Sequence, residues 1–169
     1  MKLYLVRHAS AVDHLGGSIK KDEDRPLVPE GKSEAETMAK TLKHLGIHAD
    51  AFVCSPLVRA RQTAEIFAEV LGGKDKLHIS KHLAPAGQPS ELFKELAEYK
   101  RAENIFLFGH MPDISHLAQQ LLGVDEMDMP FKKSAVCRID VYAMPPDTPG
   151  TLKWFLSPRI AEACQKHHH

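Results

Sequence analysis

No stretch of this sequence stays apolar for the roughly 20 residues that a bilayer-spanning helix requires. Its first residues also contain no long apolar core of the kind found in secretory leaders. The expected location is therefore the cytoplasm, without a membrane partner. Neither sign of charge is in excess: 22 Lys and Arg stand against 22 Asp and Glu. No global field then gathers nucleic acid or anionic lipid, and any anion site has to be local. Cysteine is scarce, with Cys54, Cys137 and Cys164 at wide spacings. An odd count so placed matches neither a disulfide framework nor a zinc pattern, and it predicts reduced thiols. Internal repeats and linker-like stretches are missing too. What remains is a chain of 169 residues, 43% hydrophobic and 26% charged, suited to one domain with a core of its own. That domain is expected over residues 1–164, followed by a tail at 165–169. The closing His167, His168 and His169 match a purification-tag remnant as well as native sequence, and they are set aside from site reasoning.

Three short, apolar, β-rich runs, "KLYLVR" from Lys2, "AFVCS" from Ala51 and "NIFLFGH" from Asn104, have the character of strands in the middle of a parallel sheet. Helical patterns lie between them. "PEGKSEAETMAKTLKHLG" from Pro29 carries Ala35, Met38, Ala39, Leu42 and Leu45 at helical spacing, and Gly46 stops it. "SPLVRARQTAEIFAEVLGG" predicts a second helix with Ser55 as its cap, Pro56 at its first position and Gly72-Gly73 as its stop. A third helix is expected from Ser90 to Glu98 and a fourth after Pro112, in "DISHLAQQLLG". "SAVCRIDVYAM", the turn "PPDTPG" and "TLKWFL" read as an antiparallel strand pair at or near the sheet edge. Alternation of this kind calls for a three-layer α/β/α sandwich with a mostly parallel central sheet. The one long irregular segment, Ser10 to Pro29, has the length of a functional or disordered loop.

In open sheets of this type ligands bind at the carboxyl ends of the strands, where the following helices point their positive ends. His8 closes the first strand, Arg59 opens the helix after the second, and Gly109-His110 close the third. Arg7, Arg59 and His110 thus converge around His8. Such a cluster repels itself unless an anion joins it, and the planar fork of arginine suits phosphate.

"LVRHA", "SPLVRARQTAE" and "FGHMPDISHL", in that order and spacing, resemble the histidine phosphatase superfamily, whose pocket combines an Arg-His pair, a further Arg and a second His. "RPLVPEG", "FKKSAV" and "KWFLSP" are similar to its compact, SixA-like phosphohistidine phosphatase branch, and the likeness runs over nearly the whole chain. The resemblance implies that His8 is the nucleophile and forms a phosphohistidine enzyme intermediate that water hydrolyses. Arg7, Arg59 and His110 would hold the phosphoryl oxygens, with Arg25 of "DRPL" as a supporting contact. A nucleophilic imidazole must be neutral, and nearby arginine charges disfavour its protonation. The superfamily's common Arg-His-Gly stands here as Arg7-His8-Ala9, which puts a methyl where backbone runs close to phosphate.

Other residues receive plainer readings. Arg61 lies roughly 160° around the helix from Arg59 and is expected at the surface. Gln62 and Thr63 are assigned packing and local hydrogen bonds. His44 and His48 are separated by the helix-stopping Gly46 and lack acidic or cysteine partners nearby. Like His14, His78, His82 and His116 they are read as solvated, and no metal or other cofactor is expected.

Larger relatives that cleave phosphate esters commonly carry an acid to protonate the departing alkoxide. The matching stretch here, "HLAPAGQPSELF", offers no carboxylate before Glu91 and is too short for a lid. Only Asp13, Glu23 or Asp24 of the long loop could take that part. Phosphohistidine leaves as imidazole and needs less help. The expected substrate is therefore phosphohistidine on a phosphotransfer protein, with phosphate as product. The alternatives are a phosphomonoesterase for small molecules or phosphoserine, phosphothreonine or phosphotyrosine, and a non-catalytic phosphate-binding module.

Overall fold

Successive residues of a strand face opposite sides of its sheet, and this period of two divides the core of the protein in half. The computed structural model describes residues 1–167. Its chain order is β1 (Lys2–Arg7), α1 (Pro29–His44), β2 (Ala51–Cys54), α2 (Val58–Leu71), β3 (Leu77–Ile79), α3 (Pro89–Leu96), β4 (Asn104–Gly109), α4 (Asp113–Leu122), β5 (Val136–Asp140), β6 (Thr151–Leu156) and α5 (Pro158–Lys166). Leu3, Leu5, Val53, Ile105 and Leu107 pack with Leu92 and Leu96 of α3 and Ile114, Leu117 and Leu121 of α4. Tyr4, Val6, Phe52, Phe106 and Phe108 face the other way, onto Met38 and Leu42 of α1, Phe67 of α2 and Ala161 of α5. The result is the expected three-layer sandwich.

The six strands run in the order β3-β2-β4-β1-β5-β6. β1 pairs parallel with β4, Arg7 opposite Gly109, and antiparallel with β5, Val6 opposite Val136. β5 and β6 form the antiparallel pair at the sheet edge, as the sequence predicts. With both neighbours in place, Leu3, Leu5 and Val6 are fully buried, and the end of β1 is held rigidly. Cys54, Cys137 and Cys164 are free, and burial pushes the first two thiols up to about 12.

Several boundaries differ from expectation. α2 begins at Val58 behind Leu57, with no side-chain cap, so Ser55 is not its cap and Pro56 lies outside the helix. The Ser55 hydroxyl is instead engaged with His110. α3 starts one residue earlier and stops two residues earlier than its pattern suggests. β3, three residues long and half exposed, is too short to leave a periodic trace. α5 also goes unforeseen, since only Ala161 in it is buried. It continues to Lys166, past the boundary expected at 164, and Gln165 donates to Thr41 Oγ1 at 3.1 Å. His168 and His169 lie outside the described residues.

The long loop is ordered by its own ends. Ala11 and Leu27 form an antiparallel bridge, and the Val12 and Val28 N–H groups donate to Pro26 and Ser10 carbonyls at 2.9 and 3.1 Å. Gln62 Oε1 accepts from Leu27 N–H at 2.8 Å and ties the loop to α2. At Gly31 a β-carbon would stand 2.0 Å from the Ser10 carbonyl oxygen, so only glycine lets α1 pass this close to the strand exit.

Candidate active site

The ends of β1 and β4 are joined where the chain leaves them: His8 N–H donates to the Gly109 carbonyl at 3.1 Å, and Ser134 N–H to the Arg7 carbonyl at 3.1 Å. A cavity of about 310 Å³ opens over this junction, lined by Arg7, His8, Arg25, Arg59, His110 and Lys133 among others. All five residues expected at the site are thus brought together. Lys133, from "FKKSAV", is a sixth that residue-by-residue reading passed over. Its motif was visible, but consecutive lysines before a strand look like ordinary solvated charge.

Each arginine is held by backbone oxygen on one side. Arg7 Nη1 donates to the Phe131 carbonyl at 2.8 Å. Arg59, only 5% exposed, donates from Nη1 to the Asp22 carbonyl at 3.0 Å and from Nη2 to Asp22 Oδ2 at 3.2 Å. Arg25 bonds the same carboxylate, Nε to Oδ1 at 2.9 Å, and gives Nη1 to the Val12 carbonyl at 2.6 Å. Asp22 therefore bridges two of the arginines. Burial raises its pKa, yet the Arg25 hydrogen bond and the Arg59 and Arg25 charges outweigh this and hold the carboxyl below its ordinary value. Glu23 pairs with Lys21 at 3.7 Å, and Asp13 and Asp24 are exposed. Arg61 follows its predicted path outward and lies 3.6 Å from Glu65.

Among the described residues, four buried side-chain polar atoms have no hydrogen-bond partner: Arg7 Nε, Arg59 Nε, His110 Nδ1 and Ser134 Oγ. Unpaired buried donors are costly. Their gathering at one strand junction, three of them on residues lining one cavity, suits that cavity to an oxyanion.

The His8 and His110 rings lie 5.2 Å apart between centroids. His8 Nδ1 is 2.7 Å from the Ala9 carbonyl oxygen, which can only accept, so this nitrogen carries the proton and Nε2 keeps a free lone pair. The ring is neutral: its pKa is lowered to about 4, chiefly by burial, with the Arg59, Arg7 and Lys133 charges adding to the effect and the Ala9 bond opposing it. Burial is thus a larger cause than the arginines invoked from sequence. His110 is lowered to about 3, again by burial first, then by His8 and Arg59. Ala9 is fully buried, and its N–H donates to Thr63 Oγ1 at 3.0 Å, while that hydroxyl donates to the Arg59 carbonyl at 2.7 Å. Thr63 thereby ties the strand end to the helix that carries Arg59, and the Ala9 methyl packs into the core beside α1 and α2.

Of the histidines expected in solvent, His14, His48, His78 and His116 are exposed, with His78 edge-on against Tyr99 and His48 Nε2 3.5 Å from Asn104 Nδ2. His82 departs from that expectation: its side chain is only 16% exposed, and its Nε2 sits 3.5 Å from Glu95. Among the described residues no group of three or more His, Cys, Asp or Glu side chains could hold a metal ion.

Residues 3–84 match the family model of the histidine phosphatase superfamily (branch 1). An uncharacterized Picosynechococcus protein is 35% identical over 123 residues, 72% of this chain and 73% of its own. The chain belongs to the histidine phosphatase superfamily. The superfamily likeness extends beyond the matched segment. Escherichia coli phosphohistidine phosphatase SixA is 24% identical over 161 residues, 94% of both chains. A solved structure of protein histidine phosphatase SixA complexed with tungstate superimposes with a TM-score of 0.82 at 25% identity, over 94% of this chain and 98% of that one. The chain is therefore a SixA-like member of this phosphatase superfamily, and no helix among its described residues is long and apolar enough to cross a membrane.

Proposed function

We propose that the protein hydrolyses phosphohistidine on a cytoplasmic phosphotransfer protein through a phosphorylated His8. The observation that carries this reading is the His8 tautomer: Nδ1 is committed to the Ala9 carbonyl, and Nε2 holds a lone pair beside a cavity lined by cationic donors. Arg7, Arg59, Arg25 and His110 bind the phosphoryl oxygens. Nε2 attacks phosphorus, the bond from phosphorus to the substrate imidazole breaks, and that imidazole, already protonated on its other ring nitrogen in the phosphohistidine, takes the bonding pair and departs neutral. Water then attacks the phosphohistidine, releasing inorganic phosphate and restoring neutral His8. Positioning and charge supply most of the acceleration in such transfers.

Phosphohistidine is favoured over an ester because, among the described residues, no carboxyl group is set to protonate an alkoxide. Asp22 is held ionised by two arginines, Glu91 is paired with Lys94 at 2.8 Å, and Asp113 accepts the Ala86 N–H at 3.0 Å. The neutral imidazole leaving group requires no such acid. The phosphate charge is met by arginine and histidine, and the reaction needs no metal.

A panel comprising a phosphohistidine phosphotransfer protein, a phosphoserine peptide and an aryl phosphate tests the proposal. The first should turn over fastest, with no loss in chelator, and alkaline quenching should trap on His8 a phosphate that acid then releases. Label on His110, a His8→Ala variant with near-normal activity, or preference for the phosphoserine peptide would overturn it.

A further inference from the structure

Ser55 is fully buried, and its hydroxyl has two neighbours: the Leu57 N–H at 3.2 Å and His110 Nε2 at 2.8 Å. The Leu57 N–H can only donate, so it occupies one lone pair of the oxygen. The hydroxyl proton then needs an acceptor, and His110 Nε2 is the neighbour able to supply one. In the opposite arrangement, with the proton on Nε2, the oxygen would accept twice and its own buried O–H would point at nothing. The favoured arrangement places the ring proton on Nδ1, the buried nitrogen that has no partner in the chain.

We propose that Ser55 is a positioning residue that fixes the Nδ1–H tautomer of His110, so that this neutral ring presents a hydrogen-bond donor to the phosphoryl group. The inference rests on the phosphatase reading given above and adds to it the device that arms the second histidine. A neutral imidazole has a single N–H, and the tautomer decides which nitrogen can donate to an oxyanion. Ser55 does not touch the phosphate itself. It acts through His110, as the Ala9 carbonyl acts through His8 with the opposite outcome for catalysis: there the same tautomer frees a lone pair on Nε2, whereas here it provides a proton on Nδ1. Ser55 lies two residues before Leu57, the cap position of α2, and its oxygen accepts from the Leu57 N–H rather than from a helical one.

Two-bond proton–nitrogen correlation spectra of the full-length protein, labelled at the histidine rings, read the tautomer directly. The expected result is Nδ1–H for His110 in the free protein, with that nitrogen shifting on addition of inorganic phosphate. Ser55→Ala should abolish the fixed tautomer and lower kcat by roughly 10- to 100-fold. Ser55→Thr, which keeps the hydroxyl, should restore the tautomer and most of the rate. An Nε2–H signal for His110 in the unmodified protein, or an Nδ1–H signal that survives Ser55→Ala, would overturn the assignment. Because the first of these needs no variant, the proposal stays testable even if residue 55 tolerates no change. The spectra are also independent of turnover: the expected tautomer in a protein inert toward the whole substrate panel would refute the proposed reaction while leaving the Ser55–His110 bond standing.

Discussion

Arg59 and Arg61 are two residues apart and carry the same charge, yet they belong to different worlds. Arg59 has a side chain 7% exposed and two bonds to Asp22, whereas Arg61 has one 42% exposed and reaches Glu65 across a turn of α2. A surface pair of that sort contributes ~0.3–0.5 kcal/mol. Removing a donor to a transition-state oxyanion costs on the order of 100-fold or more in rate. Arg59→Ala is therefore expected to cripple turnover and weaken inhibition by vanadate, and Arg61→Ala to leave both nearly intact. Steady-state kinetics on the two variants decide the matter, and equal, modest losses would mean that the region offers only diffuse attraction. The same contrast shows how far the site could be read from sequence. Helix geometry was enough to separate the two arginines, and strand-end logic brought Arg7, His8 and His110 together. Asp22 does not stand out from its acidic neighbours because "DED" in a loop gives no sign of which carboxylate meets the arginines. The Phe131 carbonyl was invisible for a different reason, since every residue has one.

At the scale of elements, glycine at the third position of α1 would ordinarily be a weakness, costing roughly 0.5–1 kcal/mol relative to alanine. The approach of the Ser10 carbonyl reverses the sign. Gly31→Ala is expected to destabilise the protein by about 1–3 kcal/mol, the range for forced overpacking, because backbone rather than a movable side chain stands in the way. Urea denaturation measures this, and a stabilised variant would show that the loop gives way freely. Ser10 also donates both its N–H and its hydroxyl to Glu34 on α1, so the same shift would disturb the loop that carries Arg25. The long elements are legible because β1 and β4 are continuous apolar runs buried on both faces, whereas α1 and α4 each bury a stripe at helical spacing. β3 and α5 are not, because a three-residue strand and a helix with one buried residue leave too little pattern to read. The start of α2 misleads for a chemical reason: a serine followed by proline has the form of a helix cap, and nothing local records that its hydroxyl is engaged by a histidine just past the end of β4.

For the molecule as a whole, two neutral histidines buried beneath a cationic cavity make stability depend on acidity. Each is lowered in the folded protein from the ordinary histidine value of 6.5, to about 4 for His8 and about 3 for His110. The unfolded chain consequently binds more protons in between, so the contribution is fully present above pH 6.5 and is lost as the pH falls through the folded values. For His8 alone the effect amounts to about 3 kcal/mol. The urea midpoint should fall across this window, and His110→Asn should show a shallower decline; a flat midpoint in the unmodified protein would contradict the buried neutral state. The placement of β1 has a bearing on synthesis. Its partner β4 begins at Asn104 and its other partner β5 at Val136, so β1 is a strand without neighbours until about 100 further residues have been made. Long-range pairings of this kind form slowly and late. On the ribosome, then, the Arg-His pair emerges well before its partner strands and waits unassembled, and a growing chain that has not reached Val136 has no completed cavity around it.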